Sequence, residues 1–200
     1  MKKLMVAVLG VLFFAPAVFA DNWGLGLKLG YADNDPKDMK AANVGGTEFD
    51  DNGSYFGLEA LYEWNLDETN KIGAKIGLDT YGENELKIFG AGKVTEDTYS
   101  FPITVYYKQD YGVKNWSWFA GAGMTFLRTE LDYSGWGGRD DDHKSKVFPH
   151  ITAGAEYRFT ELFALGLDAR YNFAAKVKKD GVVYSDRSGF GAAISGRFYF

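Results

Sequence analysis

Residues 23–31 read Trp23-Gly24-Leu25-Gly26-Leu27-Lys28-Leu29-Gly30-Tyr31. Every odd position is large and apolar, and every even position is glycine or lysine. Successive side chains of an extended chain point to opposite sides, so a strict period of two marks a β-strand with two unlike faces. No amphipathic helix produces this pattern, because its apolar positions recur at three and four.

The same alternation returns seven more times. Phe56, Leu58, Ala60, Tyr62 and Trp64 share one face of a strand predicted over 54–64, with Gly57, Glu59 and Glu63 on the other. The segment 71–81 sets Ile72, Ala74, Ile76 and Leu78 against Gly73, Lys75, Gly77 and Asp79. Further strands are predicted over 99–108, 116–128, 147–159, 162–173 and from about 190 to Phe200. The last three put Glu156 and Arg158, Asp168 and Arg170, and Arg197 on the face that is not apolar.

The connections alternate as well. Segments 32–53, 82–98, 129–146 and 174–188 are long and polar, whereas 65–70, 109–115 and 160–161 are short. Long connections at one end and short ones at the other describe an eight-stranded, antiparallel, up-and-down barrel. Pro102 and Pro149 are expected near strand starts at the long-loop end, where a missing donor costs least.

Which face looks outward follows from the aromatics. Trp23, Trp64, Trp116, Trp118, Phe159, Phe163 and Phe200 fall at the short-turn end, and Tyr31, Phe56, Phe126, Tyr171, Phe173 and Phe190 at the long-loop end. Two aromatic bands around an apolar belt are the girdles of a lipid-facing surface. A secreted soluble barrel with a ligand in its core would need the opposite orientation. The inner face is then glycine plus charge. An eight-stranded interior has room only for side chains, and the 25 glycines of the chain exceed the roughly 14 that average usage would supply. Glycine offsets the volume of arginine and tyrosine inside.

Five cations, Lys28, Lys75, Arg158, Arg170 and Arg197, match five anions, Glu59, Glu63, Asp79, Glu156 and Asp168, on that inner face. Lys71 and Lys108 are read at the turn end. Buried charge is tolerated when it is paired, so a network that fills the barrel is expected, with no open channel; a gated pore through it is the alternative. A hairpin centred on Asp67 would set Glu63 opposite Lys71 and Glu59 opposite Lys75. A shift of two residues would keep the faces and lose both pairs.

Residues 1–20 read as a secretory signal peptide: Lys2 and Lys3, an apolar run from Leu4 to Phe14, Pro16, then Val18-Phe19-Ala20 before cleavage. The apolar run is shorter than the ~20 residues of a spanning helix. The barrel domain is then 21–200. The chain lacks cysteine, which excludes disulfides, thiol chemistry and a lipoprotein anchor. A net charge of −5, −7 after cleavage, argues against nucleic acid as a partner. A mean hydropathy of −0.25 suggests a soluble protein only because two opposite faces are averaged.

Taken with the strand count, the start Trp23-Gly24-Leu25-Gly26-Leu27, the stretch "FPITVYY" at 101–107, "WFAGAGMTF" at 118–126 and the final "GRFYF" resemble the small eight-stranded bacterial outer-membrane barrels of OmpA, OmpX and OmpW type. The resemblance implies location in the outer membrane of a Gram-negative envelope. It also implies contact with outer-membrane lipid and lipopolysaccharide, and recognition by the barrel-assembly machinery through Ile194, Phe198 and Phe200. No peptidoglycan-binding domain is expected after Phe200, and a monomer without cofactor is expected.

A catalytic group would have to stand at the external rim. His143 lies in Arg139-Asp140-Asp141-Asp142-His143-Lys144, and His150 on an inner face. Neither has the His-x-Ser spacing of outer-membrane deacylases; an interior, hydrogen-bonded His150 is expected. Asp140–Asp142 with His143 would hold a divalent cation only loosely; a solvated acidic loop is the plainer reading. No metal centre and no catalytic residue are assigned. The four long connections carry −4, −2, −2 and +2 in chain order. They would contact lipopolysaccharide, a host molecule or another surface ligand, with Arg128 and Lys176 near enough to the rim to pair with lipid phosphates. The expectation is a non-enzymatic barrel with a structural or surface-interaction role in adhesion or envelope integrity; a lipid-modifying enzyme and a small-ligand conduit are the alternatives.

Overall fold

The computed structural model describes residues 23–33, 47–50, 53–88, 92–111, 115–135, 138–179 and 182–200. The segment 1–20 lies outside the described residues. Twelve strands follow in chain order: β1 (Trp23–Ala32), β2 (Thr47–Asp50), β3 (Ser54–Asn65), β4 (Asn70–Tyr81), β5 (Asn84–Ile88), β6 (Gly92–Tyr111), β7 (Trp116–Gly135), β8 (Gly138–Arg158), β9 (Phe163–Asn172), β10 (Lys176–Lys179), β11 (Val182–Asp186) and β12 (Gly189–Tyr199). Eight of them close the barrel. Each pairs antiparallel with its neighbour in the order β1, β3, β4, β6, β7, β8, β9, β12, and β12 returns to β1 with Gly24 opposite Tyr199 and Ala32 opposite Gly191.

The apolar face is the outer one. Leu29, Leu167 and Ile194 are each at least 60% exposed, while Lys28, Glu59 and Arg197 on the opposite face are at most 6% exposed. On β3, Phe56 and Trp64 stand eight residues apart, roughly 26 Å along the strand at about 3.3 Å per residue, and about 20 Å along the barrel axis after a tilt of about 40°. That spacing spans an apolar belt. At the turn end Trp23, Tyr62 and Trp64 meet edge to face, and Trp116, Tyr157, Phe159, Phe163 and Phe198 form a continuous chain of ring contacts. At the other end Tyr171 contacts both Phe173 and Phe190, and Phe101 contacts Phe126.

Three expectations need correction. The connection 129–146 is not an open loop: β7 and β8 continue as one ladder to Gly135 opposite Gly138. Beyond the aromatic band the outward face carries polar residues such as Arg128 and Glu130, and the inward face carries polar but buried ones such as Thr98 and Thr129, so the apolar alternation that betrays a strand vanishes although the backbone pairing goes on. Likewise β6 begins at Gly92 and pairs with β5, which pairs with β2. Pro102 and Pro149 therefore stand within long strands rather than near their starts. Pro102 faces Gly77, where the β4–β6 ladder skips two positions between Ile76–Ile103 and Asp79–Ser100, as a residue without an N–H requires. Pro149 sits where the β8–β9 ladder ends at His150.

The hairpin between β3 and β4 has the shifted register: Glu63 stands opposite Gly73 and Glu59 opposite Gly77. Asp67 decides this. Its carboxylate accepts the backbone amides of Thr69 and Asn70, each at 2.8 Å, and the Asn70 side-chain amide. Leu66 N–H donates to Asn70 C=O. This side-chain cap draws Asn70 back over the turn and moves its centre to residue 68.

Candidate functional site: the barrel interior

All ten charges expected on the inner face lie there, arranged by depth. Toward the turns, Arg197 on β12 donates from Nε to Glu59 at 2.7 Å, from Nη1 to Glu156 at 3.2 Å and from Nη2 to Asp168 at 2.7 Å. Glu156 also accepts Lys108 Nζ at 2.8 Å and Tyr199 Oη at 2.7 Å. Glu63 accepts Lys108 at 3.1 Å and Tyr106 Oη at 3.0 Å. Arg158 is the outermost member, 3.9 Å from Glu156, with its guanidinium over the Tyr199 ring. Midway, Lys75 reaches Asp168 at 3.3 Å and lies over the Phe119 ring, and Ser195 donates to Asp168. Higher up, Asp79 takes Lys28 at 2.9 Å and Arg170 at 2.8 Å, while Arg170 also donates to Tyr81 Oη.

The two cross-strand pairs expected for the first short hairpin are not the ones formed. Lys71 keeps a diagonal contact to Glu63 at 3.7 Å and turns mainly to Asp110 at 2.8 Å. Lys75 looks across the barrel to Asp168 instead of along the sheet to Glu59. In a narrow barrel the nearest opposite charge is often on the far wall, which strand-by-strand reading does not see.

Lys108 is the interior residue that sequence reasoning misses. Its place beside a short connection suggests the turn end, yet it is 1% exposed and bridges Glu63 to Glu156. Its parity is the available signal, since it shares a face with Thr104 and Tyr106. With Lys71, Lys108 and the Asp110 that pairs with Lys71 added to the ten expected charges, seven cations face six carboxylates, so the larger network is not at parity.

Glycine makes the room. A methyl on Gly26 would come within 2.7 Å of Glu59, and one on Gly73 would overlap the Tyr106 ring. The cavity left over measures about 30 Å³ and is lined by Lys28, Lys75, Thr104, His150, Asp168 and Arg170 among others. A second of about 10 Å³ lies near Lys108 and Arg197. Such volumes hold single waters. His150 is 1% exposed, with Nε2 at 2.9 Å from Thr104 Oγ1 and Nδ1 at 2.9 Å from Thr125 Oγ1. Both ring nitrogens are thus engaged by hydroxyls, one donating and one accepting.

Above the charges, Ala32, Tyr55, Tyr81, Leu127, Phe148 and Val177 pack as an apolar cluster toward the long-loop end. Arg187, expected in an external loop, is buried there over the Tyr81 ring. The expected rim cations are tied down: Arg128 pairs with Glu130 and Lys176 with Asp186, both at 3.1 Å. The side chains of Asp140–Asp142 lie outside the described residues, and His143 is exposed, 4.0 Å from Glu130.

The family described as outer membrane protein beta-barrel domain matches residues 5–198. Among solved structures, the chain is similar to a major outer membrane protein from Thermus thermophilus, at 10% identity and a TM-score of 0.56, covering 90% of this chain and 100% of that one. It is similar to Neisserial surface protein A at 16% identity and a TM-score of 0.54, covering 90% and 98%. It is also similar to Ail, the attachment invasion locus protein of Yersinia pestis, in complex with the heparin analogue sucrose octasulfate, at 14% identity and a TM-score of 0.51, covering 90% and 99%. At these identities the likeness is one of fold. No curated protein matches the sequence.

Proposed function

We propose, from the premise that this chain belongs to the outer membrane protein beta-barrel domain family and resides in the bacterial outer membrane, that it is a closed, non-enzymatic barrel. Its interior serves as a structural plug and its external strands as a surface for interaction, in adhesion or envelope integrity. The observation that carries this is the filled interior: Arg197, Glu156, Asp168, Lys108 and Asp79 each hold two or more partners across the lumen, and the spaces between them hold single waters. An ion or solute path would have to break several buried pairs at once.

The external surface is built for reach. The β6–β7 and β7–β8 ladders run past the aromatic band, to Gly92 opposite Gly135 and Gly138 opposite Gly135. They offer a stiff platform for lipopolysaccharide, a host molecule or another surface ligand. The lipid-modifying alternative loses support at His150, whose ring is locked between two threonines below the rim. In this reading residues 1–20 are cleaved on export, and Ile194, Phe198 and Phe200, all exposed on the lipid face, form the signal read by the assembly machinery.

Planar-bilayer recording of the purified barrel tests the plug. Silence, or only brief small events, is expected; large stable openings overturn it. Swapping the 129–146 hairpin between barrels and measuring surface binding tests the platform. Unchanged lipid A in cells carrying His150→Ala is the expected outcome for a non-enzyme.

A further inference from the structure

Among the described residues, seven buried side-chain polar atoms lack a hydrogen-bond partner. Two of them, Glu59 Oε2 and Asp79 Oδ1, face the Lys28 ammonium at 3.7 and 2.9 Å. The other five fall together: Nε, Nη1 and Nη2 of Arg187, Oγ of Ser188 and Oδ1 of Asn172. The Asn172 side-chain amide donates to the Arg187 carbonyl at 3.2 Å, which ties the three residues into one site at the outer mouth of the barrel.

Arg187 is 1% exposed, and the Tyr81 ring lies against its guanidinium at 4.4 Å. One face is therefore covered by an aromatic ring, while every in-plane donor lacks an acceptor. A guanidinium is always charged, and an isolated buried charge is among the costliest arrangements in a protein. The neighbouring carboxylate does not relieve it: Asp186 is engaged by Lys176 Nζ at 3.1 Å and by the Ser188 amide at 3.1 Å. Nor does the charge network below, where cations already outnumber carboxylates.

We propose that Arg187 binds an oxyanion of the phosphate class at the outer mouth of the barrel. The in-plane edge of a guanidinium matches two oxygens of such a group. The anion supplies the charge the site lacks. The hairpin of β10 and β11 runs directly into the site, β11 ending at Asp186. The Arg187 amide donates to the Ala175 carbonyl at 3.0 Å, and Lys146 Nζ donates to the Lys176 carbonyl at 3.0 Å. Because Arg187 is 1% exposed, binding requires the packing around its guanidinium to open. Left-handed backbone flanks the hairpin, two residues before it at Ala174 (φ 52°) and three after it at Gly189 (φ 128°). The site is independent of any surface role of the β6–β8 platform.

The test is titration of the folded full chain with inorganic phosphate, against chloride at equal ionic strength, by calorimetry and phosphorus NMR. One saturable phosphate per barrel is expected. Arg187→Gln is expected to weaken binding at least tenfold, and Arg187→Lys several-fold, in protein that still shows heat-modifiable migration. Absence of saturable binding to the unaltered chain means that water fills the site and overturns the proposal. Affinity in Arg187→Lys equal to that of the unaltered chain does the same should Arg187→Gln not fold. Repeating the titration in nanodiscs separates the sources. Suppression by a lipid with a phosphomonoester headgroup, relative to choline lipid, identifies a lipid phosphate as occupant; equal binding identifies a free one.

Discussion

The two ends of the barrel interior are closed by different physics. Toward the turns, Arg197, Lys108, Glu156 and Glu63 lock the lumen with multiply shared ion pairs, and Tyr106 and Tyr199 cap the remaining lone pairs. Toward the long loops, Tyr55, Tyr81, Leu127 and Phe148 close it by packing, and the Arg187 guanidinium set against them is unpaired. The first arrangement gives directional specificity, because each charge fixes the rotamers of its partners. The second leaves a place where something can be added. A plug that is saturated at one end and unsaturated at the other is a floor with a receptor above it.

The comparison is broken most severely at the floor. Arg197→Met strips a donor from Glu59, Glu156 and Asp168 together, and removing one partner of a buried pair costs about 3–5 kcal/mol. Denaturant unfolding from lipid vesicles should show it as the largest single loss in the barrel. At the other end, Leu127→Ala, at a fully buried site, should cost about 2–5 kcal/mol by transfer plus cavity, while leaving the ion pairs near Arg197 unaltered in side-chain NMR.

Smaller effects sharpen it. Gly73→Ala drives a methyl into the Tyr106 ring and should cost about 1–3 kcal/mol through overpacking. Gly196→Ala is the control: its methyl meets nothing nearer than Phe163 at 3.7 Å, and no measurable loss is expected. The smallest effect lies in the turn. The Asn70 side-chain amide first, then the Thr69 and Asn70 backbone amides, hold the Asp67 carboxyl at about 2, below its ordinary 3.8. A depressed carboxyl adds stability above its unfolded value and loses it as pH falls through the folded one. The unfolding midpoints of the unaltered chain and Asp67→Ala should therefore differ slightly at pH 6 and converge between about pH 4 and pH 2.

The membrane-embedded part of the fold is legible because lipid imposes a contrast. Trp23 to Tyr31 must show one chemistry outward and another inward, so parity alone identifies the strand and its faces. Past Phe126 the outward positions of β7 carry Arg128 and Glu130 while the inward Thr129 is still fully buried, so the apolar half of the pattern disappears while the ladder continues. The inner charges are legible for the same reason, as members of a face. Their pairings are not, because Lys75 chooses Asp168 across the lumen and the register turns on how Asp67 caps its hairpin. Arg187 is hidden by its position in a polar segment, where nothing in the neighbouring sequence signals burial.

The closure of β12 on β1 has a consequence for how the chain comes into being. Residue 24 lies against residue 199, and the Phe200 amide donates to the Trp23 carbonyl at 2.8 Å. The described strands thus form a ring whose one opening lies at the turn rim, between Trp23 and Phe200. Until the final strand arrives, β1 and β9 each present a bare hydrogen-bonding edge, which hydrocarbon does not tolerate. No partial circle is a resting state in the bilayer, so insertion is completed by the arrival of β12 or not at all. That strand brings Ile194 and Phe198 with it. The same geometry makes the position of the opening arbitrary: joining Trp23 to Phe200 by a short linker and opening the ring at the 65–70 turn should leave the finished cylinder unchanged.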